Sequence, residues 1–120
     1  MTSLADTFSA LLEQKKYQAI RDVLITMNAA DIETIFEELP SETLPFFFRL
    51  LPKELAAETF VEMDPEEQEM LIKGFSDSEL SEVLSELYAD DAADLVEEMP
   101  ANVVKRILRQ ADPEMRQIWR

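Results

Sequence analysis

Apolar residues recur three and four positions apart along most of the chain, and short polar or proline-bearing breaks interrupt them every twelve or thirteen residues. Spacing of this kind predicts amphipathic helices, each about three turns long. Leu80, Val83, Leu84 and Leu87 make one stripe, and Ile32, Ile35, Phe36 and Leu39 make another. The starts are marked as well. Ser76 and Glu79 have the spacing of a capping box, and Asn28 with Asp31 opens a helix in a similar way. Asp64 reads as an N-cap with Pro65 in the first helical position, followed by Glu66 and Glu67 near the positive end of the helix dipole. Ahead of these segments, Tyr17, Ile20, Leu24 and Met27 predict a longer helix, and residues 4–12 a short one before it.

The segments repeat. Prolines at 40, 52, 65, 100 and 113 are spaced 12, 13, 35 and 13 apart, and the stretches between them end in Leu-Pro, Met-Asp-Pro or Met-Pro. Helices this short cannot bury their stripes alone, so neighbouring units must stack. The expected fold is all-α, a right-handed superhelix of short helices in one domain over residues 1–120, with a helical lead-in at 1–27 and repeats over 28–120. One unit departs from the pattern. In "SETLPFFFRLL" the set Leu44, Phe47, Phe48 and Leu51 makes one stripe and Phe46 with Leu50 a second, which predicts a helix packed between neighbours on both flanks or else covered by a partner. Pro45 falls in its first turn, where it costs little.

Composition narrows the function. The 120 residues include one glycine, no cysteine and no histidine. Phosphate-cradling loops, disulfides, thiolate metal sites and the usual catalytic bases and nucleophiles therefore have no material here, and an enzyme is not expected. No apolar run reaches the roughly 18 residues of a membrane span, and the N-terminus lacks a signal-peptide layout, so the segment is expected to be soluble and intracellular. The net charge of −15 is unevenly spread: residues 28–100 hold 21 acids against Arg49, Lys53 and Lys73, leaving −18 there. Such a surface repels nucleic acid and anionic lipid and attracts cations or a basic partner.

The charge is densest in "YADDAADLVEEMP". On a helical wheel Asp90, Asp91, Asp94, Glu97 and Glu98 fall within about 120 degrees of one another, opposite Ala92, Ala93, Leu95, Val96 and Met99. In one reading Asp90 caps the helix, Asp91 and Asp94 favour its dipole, and the glutamates are solvated surface. That explains the first turn only. Asp90 with Asp94, and Asp94 with Glu97 and Glu98, are like-charge neighbours, each pair costing about 0.2–0.5 kcal/mol. In the other reading the all-oxygen face is half of a bridging site for a hard cation such as Mg2+ or Ca2+.

The phrases "DIETIFEELP", "LLPKELAAETFVEMDPEEQEMLIKGF" and "LYADDAADLVEEMP" resemble the N-terminal cytosolic domain of the MgtE family of magnesium channels and transporters, over residues 17–119. The Asp-Asp-x-Ala-Asp core with its downstream proline is the specific part; the Leu-Pro repeats are shared with FliG-like and armadillo-like helical arrays. The resemblance implies a superhelical domain that docks through bridging Mg2+ onto CBS domains of the same chain and favours the closed pore of a homodimeric transporter at the cytosolic face of the membrane. It implies metal roles for Asp90, Asp94 and Glu58, the acid of "LAAE", with Asp91 fitting the same motif. Glu97 and Glu98 extend the face on the wheel alone. The domain by itself is expected to hold Mg2+ weakly or not at all, with Ca2+ or Mn2+ as substitutes. The sequence given stops at Arg120, about where the family's linker to the CBS domains would start, so it is expected to be either a cut-out domain or a stand-alone relative.

The competing expectation is a FliG-like or armadillo-like adaptor that binds a basic partner protein without metal. Lys105, Arg106, Arg109, Arg116 and Arg120 form a basic end to the chain, expected to complement helix C-termini and close the array.

Overall fold

The computed structural model describes residues 3–111. Pro113, Arg116, Trp119 and Arg120 lie outside them. The described residues form α-helices and one 3-10 turn, with no strand among them, and the chain divides into two compact units, Met1–Glu62 and Met63–Arg120.

The first unit contains α1 (Leu4–Glu13), α2 (Tyr17–Leu24), α3 (Ala29–Glu38), a 3-10 turn (Ser41–Thr43), α4 (Leu44–Arg49) and α5 (Lys53–Glu62). Ser3 and Asp6 make a capping box at the start of α1. The helix ends in a Schellman motif: Lys15 N–H donates to Leu12 O and Lys16 N–H to Leu11 O, with Lys15 in the left-handed region at φ 59. The longer helix predicted from Tyr17 to Met27 is cut short at Leu24. Ile20 and Leu24 are buried as expected, but after Leu24 the backbone bonds tighten, Thr26 N–H reaching Val23 O and Met27 N–H reaching Leu24 O. The Thr26 hydroxyl also donates to Val23 O at 2.7 Å, competing for a carbonyl that a continuing helix would use.

Aromatic rings fill this unit's interior. Phe47 meets Phe8 and Phe36, and Phe48 meets Phe60 edge-on at 6.3 Å. Helix α4 is buried along Leu44, Phe47 and Phe48 but not on both flanks. Phe46 is 53% exposed, with the Arg49 guanidinium 5.8 Å from its ring centre, and Leu50 is half-buried. With six residues, α4 is too short to bury two stripes, so the second faces water under an arginine. Pro45 stands in its first turn, as expected.

The second unit contains α6 (Pro65–Gly74), α7 (Asp77–Glu86), α8 (Ala89–Glu98) and α9 (Ala101–Gln110), ten residues each. Asp64 caps α6 by accepting from Glu67 N–H at 2.9 Å, and the Ser76–Glu79 capping box opens α7. Helix α9 packs on α6 and α7.

The register along the chain is strict. Helices start at 17, 29, 53, 65, 77, 89 and 101, and the 3-10 turn starts at 41, one start every twelve residues. Two positions before most of these starts stands a buried residue: Leu39, Leu51, Met63, Phe75, Leu87 and Met99. In the second unit Phe75, Leu87 and Met99 and the caps after them are extended, so the first side chain turns inward and the next outward. Within the helices the buried stripe falls at the fourth, seventh and eighth residues of a unit, as in Ile32, Ile35 and Phe36 or Leu80, Val83 and Leu84. Thr59 and Gln68 are buried polar exceptions on this stripe; the Thr59 hydroxyl donates to Leu55 O at 2.8 Å.

Candidate metal-binding face

Helix α8 buries Ala92, Leu95 and Met99 and leaves Ala93 and Val96 half-covered. Apart from exposed Ala89 at its start, its remaining positions are acidic. Asp90, Asp94, Glu97 and Glu98 are exposed, as the wheel predicted, while Asp91, expected on the same exposed face, is half-buried at its edge. Among the described residues no basic side chain pairs with Asp90, Asp94, Glu97 or Glu98; Lys73 pairs with Glu69 and Arg106 with Asp77, away from this face. The like-charge repulsion along α8 is therefore left unrelieved within this set.

Its effect is felt at Asp91. Partial burial first, and then the charges of Asp90 and Asp94, push the Asp91 carboxyl above its ordinary value of 3.8. Burial penalises the ionised form, and the two neighbouring carboxylates penalise it further.

The expectation that Asp90 caps this helix is not met. Tyr88 occupies the cap, with extended backbone and no side-chain capping bond, and Asp90 is the second helical residue. The twelve-residue register explains the shift: Asn28, Asp64, Ser76 and Tyr88 hold equivalent positions, and the first three cap through their side chains while tyrosine cannot. Tyr88 is instead 77% exposed at the head of the acidic face. Counting back twelve from Ser76 and forward again would have found this residue in the sequence.

Glu58 lies on α5 in the first unit and is exposed. It and Asp94 are each the sixth residue of their repeat, a solvent-facing position in both.

The donor set suits a hard cation. It offers carboxylate oxygens alone, with no nitrogen or sulfur, and Asp90 and Asp94 stand one helical turn apart on the solvent side, where a Mg2+ ion keeps most of its water. The residues fit Mg2+, as a site open to solvent.

The profile of the MgtE intracellular N domain matches residues 27–120. The chain belongs to that family. As an MgtE N domain it is similar to a solved crystal structure of the cytosolic domain of the Mg2+ channel MgtE in complex with ATP, at 32% identity and a TM-score of 0.81. The match covers 95% of this chain and 47% of that one, so this MgtE N domain spans about half the length of the solved structure. No curated protein matches it significantly. Among the described residues, no helix is long and apolar enough to cross a membrane.

Proposed function

We propose that this chain is the cytosolic, Mg2+-sensing domain of an MgtE-like transporter, a regulatory part with no catalytic role. It docks through Asp90 and Asp94 onto an acidic surface of CBS domains in the same chain, with Asp91, Glu97 and Glu98 adding to the negative field of α8, and Glu58 of the first unit is proposed as a further metal contact. The observation that carries this reading is the pairing of Asp90 with Asp94 on the exposed face of α8, in a chain of this family and, among the described residues, without a basic neighbour to balance it.

The chain's own residues do the electrostatic part. In the absence of divalent ions the α8 carboxylates repel a facing acidic surface, and the undocked arrangement is favoured. Bound Mg2+ supplies positive charge and oxygen coordination between the two surfaces, which makes docking a function of its concentration. Buried Leu87 and Met99 anchor the two ends of α8. The twelve-residue units are proposed to stack as a right-handed superhelix, the chain to lie on the cytosolic side of the membrane, and the parent to be a homodimer.

The exposed Tyr88 favours a second reading, an adaptor that binds a basic partner with Tyr88 as its aromatic anchor. Chelators separate the two: the adaptor binds in their presence and the sensor does not.

A direct test is a Mg2+ titration of the chain followed by amide NMR. Shifts confined to α8 that vanish in Asp90→Asn/Asp94→Asn are expected. Equal shifts in that double variant would refute the assignment.

A further inference from the structure

Arg106 is the charged residue of α9 that turns inward, alongside buried Val103 and Ile107. Its guanidinium donates to Ile72 O, to Phe75 O at 2.5 Å and to Asp77 Oδ1 at 3.2 Å. Ile72 and Phe75 close α6 and Asp77 opens α7, so one planar fork caps the carbonyl end of one helix and ties it to the start of the next.

Helix α8 is strung between α7 and α9, which pack directly on each other. Only Leu87 and Tyr88 join it to α7, and only Met99 and Pro100 join it to α9, all with extended backbone and with Pro100 fixed at φ −60. Two residues at each end leave little freedom. The axis of α8 therefore follows the placement of α9 on α7.

From this juxtaposition we propose that Arg106 is a positioning residue for the acidic face. It locks α9 onto the α6–α7 corner and so fixes the direction in which α8 presents Asp90 and Asp94. A docking partner then meets a face held in one orientation. The inference rests on the reading of that face as a divalent-cation site.

The test uses Mn2+ as a paramagnetic probe and compares the isotope-labelled chain with Arg106→Met, Arg106→Lys and Asp77→Asn. In the unaltered chain Mn2+ should broaden the α8 amides and a defined set in α6, α7 and α9. In Arg106→Met the α8 amides should still broaden, with an affinity within about twofold because Arg106 touches neither aspartate, while the set in the other helices changes. Asp77→Asn, which keeps both carbonyl bonds, should match the unaltered chain. Arg106→Lys should give an intermediate pattern, and it carries the test if Arg106→Met does not fold. An unchanged set of broadened amides in the Arg106 variants overturns the positioning role. Absence of α8 broadening in the unaltered chain even under a large excess of Mn2+ overturns the cation-site reading itself.

Discussion

Phe8 and Phe47 meet with ring centroids 6.1 Å apart and planes tilted by 46°, and Phe36 meets the same Phe47 ring at 6.2 Å. Three helices, α1, α3 and α4, thus converge on one fully buried side chain. Phe47→Ala should cost about 3–5 kcal/mol by urea denaturation, because it empties a space that three helices share. Phe47→Leu should cost less than about 1.5 kcal/mol, since most of the volume is kept. Equal losses from the two would mean that ring geometry rather than filled volume holds this unit together.

The caps offer a test in both directions. Ser76→Ala removes the acceptor for Glu79 N–H and should destabilise the chain by about 1 kcal/mol. Tyr88→Asn supplies at α8 the side chain that Asn28 supplies at α3, and should stabilise by a similar amount, about 1 kcal/mol. Thermal or urea unfolding reads both. If Tyr88→Asn destabilised the chain, the exposed ring would be holding α8 by contacts other than those described.

Much of this was legible in the sequence because the repeat states its own grammar. Asp64 with Pro65, Ser76 with Glu79, and Asn28 with Asp31 each announced a helix start, and the structure puts a helix behind every one. The acidic face of α8 followed from the wheel alone. The failures have local causes. Thr26 ends α2 early through a hydroxyl bond that periodicity does not register. Two adjacent stripes on α4 looked like burial on both flanks, but a six-residue helix covers only one of them. Aspartates usually cap, which points to Asp90, but the twelve-residue spacing assigns that place to Tyr88. The basic end of the chain was expected to complement helix C-termini, and Arg106 does so at α6; its bond to Asp77 on α7 has no sequence signal, since the residues lie 29 positions apart.

Asp91 gives the acidic face a pH signature. Its carboxyl sits above the ordinary value of 3.8 in the folded chain, from partial burial and then from Asp90 and Asp94. A raised carboxyl pKa means that the folded state binds the proton more tightly than the unfolded state. The penalty is therefore present in full at neutral pH, fades as pH falls through the folded value, and is gone below the unfolded one. Relative to the unaltered chain, Asp91→Asn should be more stable at pH 7 by roughly 0.5 kcal/mol. That difference should disappear by about pH 3. A difference that does not depend on pH would show that repulsion among these carboxylates is not its source.

The most direct measurement places this chain in an MgtE channel in place of the channel's own N domain and records transport against Mg2+ concentration, with and without Asp90→Ala/Asp94→Ala. The expected result is inhibition by Mg2+ with the unaltered chain, and a midpoint moved at least about tenfold higher in the double variant, corresponding to the loss of about 1.4 kcal/mol of docking energy. An identical midpoint in the two, with both domains folded, would contradict the claim that these aspartates sense the ion.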